Sequence, residues 1–309
     1  MAAVVTGTGI AAAGVASPEQ LLNGTGPAAD PGFDPVALLG GRGLRYKDGA
    51  TRLAMLAAKY ALEGAALFDE TGAVAESESF AVVVSSNLGN LDTVCQAAET
   101  IREQGVAGTS PMDLPNASSN VVASSIAIRF GLRGPNLMLC NGEASGLDAV
   151  HWAAVLIGSG RARRALVVGV ETTNAYVREL AGEVFDGAAA LVLEHPGSAA
   201  ARRAPALARV GAYVRGTGTA DSVQRALAGT PVGLVLSGAG QVTSPAGPDV
   251  RTCDLDTVVG PSSGARGVLQ CALGAHWLGD GGHGGVLASA GHAADGVATL
   301  VLHGAGAAR

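Results

Sequence analysis

One nine-residue segment occurs twice. Asp186-Gly187-Ala188-Ala189-Ala190-Leu191-Val192-Leu193-Glu194 is echoed by Asp295-Gly296-Val297-Ala298-Thr299-Leu300-Val301-Leu302-His303. Each copy is a run of small and branched apolar residues between a turn pair and a polar residue, the pattern of a strand buried on both faces. Such an echo points to two halves of related build, each closed by the same strand. Residues 195–206, rich in Ala, Pro and Arg, read as the connection. The halves are therefore expected at residues 1–195 and 206–309, together forming one structural unit.

Other segments fill in an α/β order. Ala2 to Thr6 reads as a first strand ending in a Gly-rich turn. Phe80 to Val84 and Ala165 to Val170 are β-branched runs of central-strand type. Thr51 to Leu67 is apolar on most faces at helical spacing, so it is expected to be buried. Leu91 to Glu103 mixes apolar and charged residues at helical spacing. Residues 105–116, with two Gly and two Pro, read as a loop.

The most informative local stretch runs from Leu139 to Ala149. Leu137 to Leu139 reads as a buried strand and Ala144 to Ile157 as a helix, which places Glu143 on the turn between them. Enzymes use that place for a reactive thiol or hydroxyl, because the helix amides lower a thiol's pKa and can bind an oxyanion. A carboxylate there is stabilised by the helix end but is a poor carrier of acyl groups. Cys140, three residues upstream, reads as a small buried strand residue rather than a displaced nucleophile.

Bulk properties exclude several classes. A net charge of −6 does not suit a nucleic-acid surface, nor does it attract an acidic carrier protein. Four scattered cysteines form neither a disulfide framework nor a zinc site. Asp280 and His283 could hold a metal only as a weak pair in a Gly-rich loop, so no metal and no cofactor are expected. His151 and His276 read as packing or surface residues, and His292 as locally hydrogen-bonded. No apolar run is long enough to span a bilayer, and no basic region precedes the N-terminal apolar stretch. A soluble cytoplasmic protein with no nucleic-acid or membrane partner is the expectation.

Residues 118–171 resemble the central block of the β-ketoacyl synthases, through Ile128-Arg129-Phe130-Gly131-Leu132-Arg133-Gly134-Pro135-Asn136, Glu143-Ala144-Ser145-Gly146 and Gly169-Val170-Glu171. Val4 to Ile10, Gly43 to Arg52 and Val84 to Gly89 resemble the same family. The resemblance implies a thiolase-type α-β-α-β-α layered sandwich of two related halves, here with a shortened second half and a short 171–186 segment. It also implies three catalytic positions: a Cys in the place of Glu143, a first His in the place of Ser237, and a second His in the place of Pro261. All three side chains are changed while their flanking motifs survive, so condensation by this chain is not expected. The family's C-terminal Gly-rich loop is eroded near Ala290 to Ala294.

Type II polyketide synthases contain a subunit of this kind, the chain-length factor. It resembles the ketosynthase, lacks the Cys, pairs with an active ketosynthase and shapes the tunnel for the growing chain. By that resemblance, Leu91, Val94 and Ala98 are the tunnel candidates. The same spacing also fits the core face of an amphipathic helix. Met112, Leu114 and Asn116 are the interface candidates. The partners implied are the ketosynthase, in a heterodimer, and an acyl carrier protein, reached mainly through that ketosynthase. Alternatives are a malonyl decarboxylase that makes a starter unit, an independent enzyme using Glu143 as acid or base, and a plain homodimer. The decarboxylating relatives retain both histidines, and this chain has neither.

Overall fold

The computed structural model describes residues 3–41, 43–111, 114–238 and 249–306. Its strands are β1 (Val4–Ala12), β2 (Phe80–Ser85), β3 (Asn136–Leu139), β4 (Arg164–Glu171), β5 (Gly187–Glu194), β6 (Ala208–Gly216), β7 (Val232–Ser237), β8 (Arg251–Asp254), β9 (Gly285–His292) and β10 (Gly296–Gly304). The helices are α1 (Pro18–Leu22), α2 (Pro35–Leu39), α3 (Gly49–Gly64), α4 (Leu91–Gln104), α5 (Val121–Phe130), α6 (Ser145–Gly158), α7 (Ala175–Ala181), α8 (Pro196–Ala201), α9 (Thr219–Leu227), α10 (Leu255–Val259) and α11 (Arg266–Gly279).

The strands line up as β3-β2-β4-β5-β1-β6-β10-β9-β7-β8. Read inward from each edge, both sets of five follow the same order, third, second, fourth, fifth and first of their own half. The sets, here called the first and second sheets, join into one ten-stranded sheet where Val4 and Val5 of β1 pair with Arg209 and Ala208 of β6. The echoed segments form β5 and β10, which occupy equivalent places.

Burial divides the molecule into layers. One core packs both sheets against the central helices α6 and α11. A second lies on the outer face of the first sheet, under α3 and α5. A smaller third core lies between the second sheet and α9. The result is the α-β-α-β-α sandwich of two related halves.

Several details depart from the sequence expectation. β1 runs through its glycines to Ala12 rather than turning after Thr6. Gly7 and Gly9 are a contact surface for α3: a Cβ on either would lie 2.3 Å from a helix carbonyl, Ala61 O or Ala57 O. The α3 helix starts earlier than expected, because Asp48 caps it by accepting from Thr51 N at 2.7 Å. β3 is a half-buried edge strand rather than a buried one. Loop 105–116 contains short 3₁₀ turns at Val106–Gly108 and from Leu114. The 195–206 connection contains α8, and the 171–186 segment contains α7.

A buried charge cluster fixes the rim of the first sheet. Glu194, at the end of β5, accepts from Thr6 Oγ1 (2.6 Å), Arg164 Nε (2.9 Å) and Arg202 Nε (3.1 Å). Burial pushes its carboxyl up, but Arg202, Thr6 and Arg164 together outweigh that and hold it below the usual range. Among the described residues, no helix is long and apolar enough to cross a membrane.

Candidate functional site

The turn between β3 and α6 is held by its own side chains. Gly142 adopts a left-handed φ of +82° that turns the chain out of the strand. Asn141 N donates to Ser145 Oγ (2.8 Å), which donates to Gly142 O (2.6 Å). Below the turn, Asp148 on α6 accepts from Asn141 Nδ2, Tyr213 OH and Arg215 Nη1. Arg215 also donates to Asp295 O (3.0 Å), which ties the β9–β10 hairpin of the second half to this turn.

The central helices bring the halves together at this point. A Cβ on Gly146 would lie 2.7 Å from Gly267 N, and one on Gly267 would lie 2.2 Å from Leu147 N. The N-terminal ends of α6 and α11 therefore touch, which sets Glu143 beside Arg266. Arg266 Nη1 donates to Glu143 Oε2 (3.0 Å), and Nη2 donates to both carboxylate oxygens of Asp256 (2.8 and 2.7 Å). Glu143 is thus an ion-pair partner of a residue in the second half, a role its place at a helix end does not announce. Sequence pattern passed over Arg266, although a cation in the first turn of an apolar helix is a visible signal.

A second buried carboxylate joins the same elements. Glu171, at the end of β4, accepts from Asn87 N (2.8 Å), Gly264 N (2.9 Å), Leu88 N (3.0 Å) and Ser86 Oγ (3.1 Å). Burial pushes its carboxyl above the usual range, against the pull of these donors. Asn87 reaches across by donating to Gly142 O (3.0 Å) and Ser263 Oγ (2.8 Å). The loop after β2, the β3–α6 turn and residues 262–266 therefore form one hydrogen-bonded unit.

Residues 30–223 match the family described as "Beta-ketoacyl synthase, N-terminal domain". The chain belongs to the β-ketoacyl synthase family. It is 32% identical over 142 residues to a 3-oxoacyl-[acyl-carrier-protein] synthase 2 of Rhizobium meliloti (strain 1021), covering 46% of this chain and 32% of that protein. It is 30% identical over 114 residues to the synthase 2 of Vibrio harveyi, covering 36% and 28%. The match spans about a third of the length of these curated relatives or less. Among solved structures, "The ishigamide ketosynthase/chain length factor" aligns with a TM-score of 0.80 at 18% identity, over 99% of both chains. A type II polyketide synthase acyl-carrier protein in complex with its hexaketide-bound ketosynthase, AntDE:AntF, gives 0.79 at 15% identity over 98% and 99%. A β-ketoacyl synthase from Burkholderia phymatum STM815 gives 0.76 at 18% identity over 98% and 99%. At these identities the likeness is one of fold.

Of the positions the family resemblance singles out, Glu143 pairs with Arg266, and Ser237 lies one residue before a glycine packed against the same guanidinium. Ser237 ends β7, and a Cβ on the next residue, Gly238, would lie 2.6 Å from Arg266 Cζ. Pro261 is exposed after α10, and its carbonyl accepts from Phe185 N at 2.9 Å. Cys140 is exposed just beyond β3, not buried as expected, because the strand ends at Leu139. Partial desolvation, and then the Glu171 charge, push its thiol above the ordinary range, the opposite of an activated thiolate.

The tunnel candidates lie on α4, which buries none of its residues in this chain. Leu91 is half-buried, while Val94 and Ala98 are exposed, and Ile101 extends the same apolar face. The core-face reading of this spacing therefore does not hold within the chain. Of the interface candidates, Leu114 is exposed, and Met112 lies outside the described residues. Asn116 is buried and donates its amide to Tyr46 O (2.6 Å), so its side chain serves this chain's own loop packing. Beside α4 lies a polar cavity of about 430 Å³, whose walls include Arg45, Lys47, Asp48, Asp92, Gln96 and Asn116, but not the Glu143 turn.

Three of the histidines have local partners. His151 stacks on Tyr213 at 4.1 Å, His276 bonds Glu19 (2.6 Å), and His292 pairs with Asp295 (3.0 Å). Among the described residues, no group of three or more His, Cys, Asp or Glu is placed to hold a metal ion.

Proposed function

We propose that this chain is the non-catalytic chain-length factor of a type II polyketide synthase, paired in the cytoplasm with an active ketosynthase whose acyl tunnel it helps to wall. The observation that carries the reading is Glu143, a carboxylate held in an ion pair at the position where the family places its nucleophile. A carboxylate engaged with a buried guanidinium offers no thioester chemistry. With Ser237 and Pro261 in the histidine places, no pair of imidazoles is available to promote decarboxylation and stabilise an enolate. The same loss disfavours the starter-generating decarboxylase. In this reading, residues 1–195 and 206–309 are the two family halves.

The exposed face of α4 supports a partner. Val94, Ala98 and Ile101 point outward, and Val106 and Leu114 add apolar exposure nearby. An exposed apolar stripe of this kind suits a protein interface. The helix is held from behind by polar bonds, Tyr176 OH to Glu99 (2.7 Å) and Asn90 Nδ2 to Asn116 O (3.2 Å). In the assembly, Leu91, Val94 and Ala98 would face the ketosynthase and line the far end of its tunnel. The carrier protein would dock mainly on that ketosynthase, since this chain carries a net charge of −6.

The test is co-expression with a type II ketosynthase from the same gene neighbourhood, followed by native mass measurement. A one-to-one heterodimer is expected. A stable homodimer that ignores the ketosynthase would overturn the assignment.

A further inference from the structure

We propose that Arg266 plugs the space in which a ketosynthase carries out its chemistry, with Glu143 and Asp256 as the anions that hold it there. The inference rests on reading Glu143 and Ser237 as the nucleophile and first-histidine positions. It does not depend on which partner the chain binds.

The guanidinium is fixed on two sides. It lies 3.0 Å from Glu143 on the β3–α6 turn and 2.7–2.8 Å from Asp256 on α10. On the strand side it presses against the end of β7: a Cβ on Gly238 would lie 2.6 Å from Arg266 Cζ and Nη1, and 2.9 Å from Asp256 Oδ2. The cation therefore stands between the nucleophile turn and the strand end that follows Ser237. By the family resemblance, that gap is where an active ketosynthase would hold its thioester and the reacting carbonyl.

Its location is unfavourable without such a role. Arg266 occupies the first turn of α11, where the helix dipole opposes a cation. Its side chain is 1% exposed. Its Nε has no hydrogen-bond partner among the described residues. Burying a guanidinium this way is tolerated only with close anions, and two carboxylates supply them.

Exposure gives the plug a direction. The Glu143 side chain retains 30% exposure while Arg266 retains 1%. Glu143 is therefore reachable from solvent, while the guanidinium behind it is not. On this proposal a small reagent reaches position 143, whereas a chain that must extend past it meets Arg266.

The test makes that distinction directly. In the full chain carrying Cys95→Ser and Cys140→Ser, Glu143→Cys places a thiol at the turn, with Asp256 still holding Arg266. Alkylation by iodoacetamide and by N-octyl iodoacetamide is followed by intact mass and peptide mapping. With Arg266 present, the octyl reagent is expected to lag the small one by about tenfold beyond their ratio on a free thiol, the size of a modest overpacking penalty. Adding Arg266→Ala should abolish that lag, while Arg266→Met, which keeps the volume without the charge, should retain most of it. Equal discrimination with and without the Arg266→Ala substitution would overturn the plug. If Arg266→Ala prevents folding by removing the guanidinium from beside Asp256, the same comparison is made with Asp256→Ala added. Failure to bind a ketosynthase would not alter this readout, so the two proposals fail separately.

Discussion

Replacing Glu171 with Gln isolates the buried carboxylate that joins the two halves around the turn. Four donors converge on it, with Asn87 N and Gly264 N on Oε1 and Leu88 N and Ser86 Oγ on Oε2. A glutamine can set its carbonyl toward one pair only. The better choice keeps Asn87 and Gly264, turns the amide NH₂ toward the Ser86 hydroxyl, and leaves the Leu88 N–H facing a donor. One buried unsatisfied donor costs about 1–3 kcal/mol, and weakening the charge-assisted bonds adds to that. Relief from burying a charge offsets part of the loss, so a destabilisation of about 2 kcal/mol near neutral pH is expected. The pH dependence has a definite sign. Burial raises the folded carboxyl above its unfolded value, so the native state binds the proton more tightly. Stability from this group is then fully present below the unfolded pKa and is lost as pH rises through the folded one. Glutamine has no such dependence, so the gap between wild type and Glu171→Gln should narrow as pH rises across that window. Urea unfolding at a series of pH values, read from midpoints at constant slope, measures the gap. A gap that widens with rising pH, or a variant as stable as wild type throughout, would refute the reasoning.

Glu194→Gln should behave in the opposite way, because Arg202, Thr6 and Arg164 hold the folded carboxyl low. It is expected to cost about 3–5 kcal/mol near neutral pH by removing the buried carboxylate that Arg164 and Arg202 share, with the deficit shrinking as pH falls through the folded pKa, again by urea unfolding. Gly7→Ala forces a Cβ to 2.3 Å from Ala61 O; overpacking against a helix backbone predicts a loss of at least about 1–3 kcal/mol, seen as a lower melting temperature. Val94→Asp should abolish co-purification with the ketosynthase while leaving the circular dichroism spectrum unchanged, since α4 buries no residue in this chain. Ala98→Phe should shift the assembly's products to shorter chains by mass spectrometry, and an unchanged length distribution would remove Ala98 from the tunnel wall.

Much of the framework was legible because it depends on local pattern. The apolar runs at 80–84, 165–170 and 188–194 fall on β2, β4 and β5, since an unbroken run of small and branched residues suits a strand covered on both faces. The misreadings share a cause. Gly7 and Gly9 have the look of a turn, but their lack of side chains accommodates α3, a partner more than forty residues away in sequence. Cys140 and β3 read as buried because three apolar residues do not reveal that the strand is an edge. Leu91, Val94 and Ala98 fit a core stripe equally well, and only the packing of α4 shows that this stripe is left uncovered.

The sequence by itself determined that a strand motif recurs in the two halves and that the chain carries the ketosynthase motifs, with Glu143 rather than Cys in the motif Glu143-Ala144-Ser145-Gly146. These are properties of residue identity and spacing, and they need no coordinates. Only the tertiary structure decided what Glu143 does. Arg266, which pairs with it, and Asp256, which shares that guanidinium, come from the other half, more than a hundred residues away. Two glycines on different helices bring them within reach. Charges so distant in the chain have no joint signature in sequence, because their energy depends on a separation of a few ångströms that folding alone sets.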